Sequence, residues 1–221
     1  MGCHMNLSRP IRLGCTGLVV LLLIVLGYRI TLVNSEGLPY GIALHSVGDS
    51  VELNGAFAEY STENTDGFSF SVNSAELMSI NEYIDRYSKD SVMPNDPYDT
   101  TDPNEKTLAV LTITIRNDKN EGDERGYLDS LGWSLIPRNQ KERWLRVDST
   151  LFNLSVPQLG GAYQLSVRPG TEYTINVPFS TSVVDGFPAQ AGLGHKPTLE
   201  SGDYDFIATN LPVRHIVEVE L

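Results

Sequence analysis

The residues best equipped for chemistry in this chain are acidic. Asp118-Lys119-Asn120-Glu121-Gly122-Asp123-Glu124 gathers oxygen donors into one short run, and a hard cation such as calcium takes roughly six to eight oxygens. Asp118, Asn120, Asp123 and Glu124 are therefore the metal-ligand candidates. The run departs from a helix–loop–helix calcium loop, because Asp123 stands where such a loop places its glycine. A solvated hairpin turn accounts for the same residues. Asp96, Asp99 and Asp102 carry the same two readings. No bound cofactor is expected.

Other chemistry is thinly supplied. The histidines are His4, His45, His195 and His215, and no pair has the spacing of a metal-binding HExxH helix. His45 falls in a linker-like stretch, His195 in the turn GLGHKP, and His215 alternates within a closing strand as a surface or rim residue. Neither a GxSxG nucleophile elbow nor a phosphate-binding loop occurs. Both cysteines, Cys3 and Cys15, precede Glu36, so no thiol or disulfide is available from that point on. No catalytic residue is assigned, and the chain is read as a non-enzyme; a glycan hydrolase using paired carboxylates is the enzymatic alternative. Trp133 and Trp144 flank SLIPRNQKER and are read as core aromatics, with ligand stacking as the alternative. Tyr98, in a polar loop, is a contact candidate.

Charge restricts the partners. Arg9, Arg12 and Arg29 are the only charged side chains before Glu36, which leaves 13 basic and 28 acidic residues beyond, a net of −15. Such a body repels phosphate backbones and anionic lipid, so nucleic acid is excluded as a partner, while cationic peptides or proteins are permitted.

The element that places this body is the apolar stretch 13–33, LGCTGLVVLLLIVLGYRITLV. About twenty such residues cross a bilayer at ~1.5 Å rise each. Basic residues before it and acidic ones after it predict a cytoplasmic segment 1–12, an uncleaved anchor 13–33 and an exported remainder. A cleaved signal ending near Val33-Asn34-Ser35 is the alternative. Leu13-Gly14-Cys15 looks like a lipid-attachment box but precedes the apolar core that it should follow.

Residues 34–50 mix Gly, Pro and Ser and read as a tether. From Val51 to Leu221 the pattern is one of strands: VELNGAF, GFSFSVNSAEL, TLAVLTITIRN, YLDSLGWSLIP, WLRV, YQLSV, TEYTINVPF, YDFIAT and VRHIVEVEL. Apolar residues on both faces of TLAVLTITIRN predict a central strand, and Pro137 should end its strand. Ser79-Ile80-Asn81-Glu82 is a capping box that opens one short helix, with Ile80, Tyr83, Ile84 and Tyr87 on one face. Residues 88–106 hold three prolines and read as a long loop. Many short strands between turns favour an all-β antiparallel sandwich.

The succession LNGAFAEYSTENTDGFSFSVNSAELMS, INEYIDRY, LAVLTITIRND, LSVRPGTEYTINVPF and VRHIVEVEL resembles an uncharacterised family of Gram-positive membrane-anchored proteins, catalogued as a domain of unknown function. RPGTEYTINVPF is also similar to the turn and strand of bacterial extracytoplasmic immunoglobulin-like domains. The resemblance implies an immunoglobulin-like β-sandwich and carries no catalytic residues. The expectation is a membrane-tethered, extracytoplasmic binding module for a protein or cationic peptide, with immunity-type sequestration of cationic peptides as an alternative.

Overall fold

The computed structural model describes residues 21–31, 41–88, 101–119, 126–156, 163–181 and 196–221. The chain divides into two units, 1–39 and 40–221. In the first, 21–31 form helix α1, whose apolar side chains are exposed. Among the described residues no helix is long and apolar enough to cross a membrane. The rest of the apolar stretch, 13–20 and 32–33, lies outside the described residues, as do Cys3, Cys15 and the Val33-Asn34-Ser35 cut site.

The second unit is mostly strand: β1 (Gly41–Ser46), β2 (Val51–Glu52), β3 (Phe68–Met78), β4 (Leu108–Asn117), β5 (Leu128–Asp129), β6 (Ser134–Pro137), β7 (Leu145–Val147), β8 (Gln164–Leu165), β9 (Thr171–Ser180), β10 (Asp203–Ile207) and β11 (Val213–Glu220). Helices α2 (Ile80–Tyr87) and α3 (Ser149–Ser155) interrupt them. Nine strands form one sheet in the order β1-β11-β10-β6-β7-β9-β4-β3-β2, while β5 and β8 pair separately. Every pairing is antiparallel except β1 on β11, where Gly41 faces Val213 and Ser46 faces Glu218.

This sheet curls until its edges nearly meet. Laid flat at ~4.8 Å per strand, β1 and β2 would stand about 38 Å apart. Only Val47–Ser50 lie between them in sequence, and that much chain spans at most ~18 Å. The Gly48 amide indeed donates to the Val72 carbonyl of β3 at 2.8 Å. The expected two-sheet antiparallel sandwich is corrected accordingly to one mixed, nearly closed sheet. Alternation in sequence reports which face is oily, but not which strand is the neighbour or in which direction it runs.

The interior is filled by alternating residues of the curled sheet. Ala109, Leu111, Ile113 and Ile115 of β4 are fully buried and pack with Phe70, Trp133, Ile175, Val177, Phe179, Phe206 and Val217. Phe206 is the hub: its ring lies 5.6 Å from Trp133, 5.8 Å from Phe179 and 6.1 Å from Phe70, each edge to face. The opposite face of β4 is apolar because helices cover it. Leu108 and Val110 bury against Ile80, Tyr83, Ile84 and Leu151 from α2 and α3.

Local signals account for several boundaries. Ser79 accepts from the Glu82 amide while the Glu82 carboxylate accepts from the Ser79 amide at 2.7 Å, a complete capping box. That bond holds the Glu82 carboxyl below its ordinary range. Pro137 is the last residue of β6. Asn54 and Gly55 both take positive φ between Leu53 and Ala56, whose amide returns to the Leu53 carbonyl at 2.8 Å. VELNGAF is thus a strand and a tight turn.

Three further expectations change. Residues 41–46, read as tether, form β1, an edge strand that turns Ile42 and Leu44 outward and only Gly41, Ala43 and His45 inward, too short and too weakly apolar on its inner face to stand out from the Gly, Pro and Ser around it. YLDSLGWSLIP is broken by a 3-10 turn at Ser130–Gly132, where the Asp129 side chain accepts from the Leu131 amide. A second helix, α3, joins the one expected; Asp148 caps it and also accepts from Ser180 Oγ at 2.9 Å and Lys196 Nζ at 2.8 Å. Of the long loop 88–106, residues 89–100 lie outside the described residues.

Truncating the hub, Phe206→Ala, should cost about 3–5 kcal/mol in chemical denaturation, since three rings lose their common partner. Ser79→Ala should cost about 1 kcal/mol through loss of the helix cap. In the same assay the Glu82 contribution should be present above the ordinary carboxylate pKa and fade on acidification, because its folded pKa is depressed.

Candidate functional site

The side chains singled out in the sequence scatter. Asp118 is exposed at the end of β4 and pairs with Arg116 Nε at 2.6 Å. Asn120, Asp123 and Glu124 lie outside the described residues, as do Asp96, Tyr98, Asp99, His4 and His195. Asp102 accepts from the Asn104 backbone amide at 2.9 Å and its side-chain amide at 3.0 Å, the geometry of a local turn. Among the described residues no group of three or more His, Cys, Asp or Glu is placed to hold a metal ion.

The two tryptophans part company. Trp133 is buried against Phe206, as expected for a core ring. Trp144 is 46% exposed, its indole N–H donating to the Lys141 carbonyl and its face covered by the Arg146 guanidinium at 5.2 Å. The position beside buried Leu145 explains the difference, because neighbouring residues of a strand point to opposite faces.

Buried carboxylates are occupied by the chain's own donors. Glu63, 3% exposed, accepts from the amides of Glu59 at 2.8 Å, Tyr60 at 2.9 Å and Asp129 at 3.0 Å. It ties the 58–63 turn to β5. Close by, Gly126 fits only because it has no Cβ, which would stand 1.7 Å from the Asn64 carbonyl oxygen. Asp148, with Lys196 and Ser180, likewise welds α3 to the end of β9.

Exposed carboxylates are arranged differently. On the outer face of β10 and β11, Asp203 faces Glu220 and Asp205 faces Glu218 directly across the ladder. Like charges in that relation repel. The Asp205–Glu218 rung is bridged by Arg138 after β6, which donates from Nε to Asp205 at 2.7 Å and from its terminal nitrogen to Glu218. Among the described residues no cation pairs with the Asp203–Glu220 rung. One rung thus holds a guanidinium and the next has the same two carboxylates standing open.

The other arrangement missed in sequence is a pair of histidines. Parallel pairing of β1 with β11 sets Ala43 opposite His215, so that His45, two residues on, reaches back along the same face. His45 Nε2 and His215 Nδ1 are 3.0 Å apart. His215 is 8% exposed, rather than the surface or rim residue expected. Its burial, then the charge of His45, pushes its pKa below the ordinary histidine range. The one clue in sequence is that His215 alternates within a strand; His45 falls in the stretch read as tether, and their separation of 170 residues conceals the contact.

No curated protein and no solved structure matches this chain. A family described as a domain of unknown function, DUF5028, matches residues 42–215, from β1 to His215 of β11; the chain belongs to that family.

Proposed function

We propose that this protein is a membrane-tethered module, facing outward from a Gram-positive cell, that binds a cationic peptide or basic protein segment without catalysing a reaction. The open Asp203–Glu220 rung carries this reading. Arg138 already demonstrates, one rung away, how a guanidinium bridges two carboxylates on this surface. A partner's arginine or lysine would repeat that contact and relieve the repulsion between Asp203 and Glu220. The net charge of −15 beyond Glu36 adds long-range attraction that speeds encounter.

The tether and export rest on the apolar stretch 13–33 and the charge asymmetry around it. In that setting a cationic antimicrobial peptide is a fitting partner, intercepted before it reaches lipid. Exposed ion pairs contribute only about 0.2–1 kcal/mol each, so affinity must come from several contacts and will be salt-sensitive.

The full-length chain in detergent, titrated with an arginine-rich peptide, should bind at low ionic strength and weaken as salt rises, the Debye length being ~10 Å at 0.1 M. The double variant Asp203→Asn/Glu220→Gln should bind about 2- to 10-fold more weakly at low salt and fold at least as stably as wild type. Equal affinity of variant and wild type would remove the rung as the contact. Protease added to intact cells should cleave the body; its survival there, with loss on lysis, would overturn the outward orientation.

A further inference from the structure

The His45–His215 contact has a geometry that selects among the things two histidines can do. The ring centroids are 5.2 Å apart and the planes 27° from parallel. That separation is close to the 3.0 Å nitrogen contact lengthened by one ring radius at each end. The two nitrogens therefore point at each other, nearly head-on. A chelated metal would require both lone pairs to converge on a third point ~2.0–2.1 Å from each nitrogen. Two lone pairs aimed at one another instead share a proton.

Proton count then decides whether the contact holds. With neither or one ring charged, one facing nitrogen donates and the other accepts. With both charged, each facing nitrogen carries a hydrogen, and the bond becomes a repulsion between two cations.

The groups facing the pair do little to offset that charge. β1 brings His45 and, after it, Asp49, whose carboxylate accepts from the Ser46 amide at 2.8 Å. The end of β10 and its turn bring Ala208 and Thr209, neither titratable, bonded to the His215 backbone. β3, packed across from β11, turns Ala75 and Leu77 inward and Glu76 to its outer face, where Glu76 pairs with Arg86 of α2 at 2.8 Å. Arg214 and Glu218 of β11 alternate onto the other face, as do Asp203 and Asp205 of β10, while Tyr204, on the inner face, donates to the Glu200 carbonyl.

We propose that His45 and His215 form a proton-operated clasp that holds edge strand β1 against β11 and releases it when both rings are charged. β1 is the place where such a device has an effect. Among the described residues it has one strand neighbour, its outward side chains Ile42 and Leu44 are exposed, and it joins β2 at the other edge through Val47–Ser50. Opening it would break the near-closure of the sheet and expose the β11 ladder. Because the closed pair binds its second proton less readily than separated rings do, the clasp is whole above the ordinary histidine range and weakens as pH falls through it.

Amide hydrogen exchange on the full-length chain in detergent, from about pH 7.5 to about pH 5, tests this, with β1 amides referred to β4 amides in the same sample to remove the intrinsic pH effect. One proton taken up on opening raises the opening constant of β1 by up to tenfold per pH unit below about 6.5, with β4 unchanged. His45→Gln should flatten the slope, because the amide oxygen of Gln accepts from a charged His215; His215→Gln should do the same by accepting from His45. Should His215→Gln fail to fold, His45→Gln, at a half-exposed position, carries the comparison. A β1 slope equal to that of β4, or unchanged in His45→Gln, overturns the clasp.

Discussion

The fold depends on one ring being shared between distant parts of a single sheet. Phe206 sits on β10, three places from β9 and five from β3 in the strand order. In a flat sheet those strands would stand about 14 and 24 Å away, yet Phe179 and Phe70 meet its edge or face at about 6 Å. Burying these aromatics together is possible only if the sheet rolls over them. The hydrophobic gain, roughly 1.5–3 kcal/mol per large side chain, is thereby converted into curvature, and curvature brings β1 and β2 within reach of a four-residue connection.

Rolling the sheet gives it an outside, and the outside is treated unevenly. Over β4 it is apolar and roofed by α2 and α3, with the Tyr83 hydroxyl donating to the Asn176 carbonyl and lying 2.9 Å from Ser155 Oγ beneath the roof. Burial pushes the Tyr83 hydroxyl pKa upward, consistent with a permanent structural donor. Over β10 and β11 no helix lies among the described residues, and the same alternation that sends Phe206 and Val217 inward sends Asp205 and Glu218 out. Acidic rungs are thus a by-product of the pattern that builds the core. What is not a by-product is that only one of them is bridged by Arg138.

The edges of the sheet are where stability and response meet. β4, paired on both sides and apolar on both faces, is the least negotiable element. Among the described residues β1 has a single partner, and its inward residues are only half buried. A side-chain contact such as that of His45 with His215 therefore weighs more in its local stability than the same contact would in the centre of the sheet.

Much of this body was legible before its structure was. The alternation of Ala109, Leu111, Ile113 and Ile115, the capping box at Ser79, the stop at Pro137 and the inward face of Ile175, Val177 and Phe179 are local, and local patterns are written in adjacent residues. Tertiary structure decided the rest: that nine strands make one rolled sheet, that β1 runs parallel to β11, that Trp144 is outside while Trp133 is inside, and that His45 meets His215. Those facts depend on which segments become neighbours. Periodicity fixes the face a side chain takes, but partner and direction follow from the joint burial of residues far apart in the chain, which no single stretch encodes.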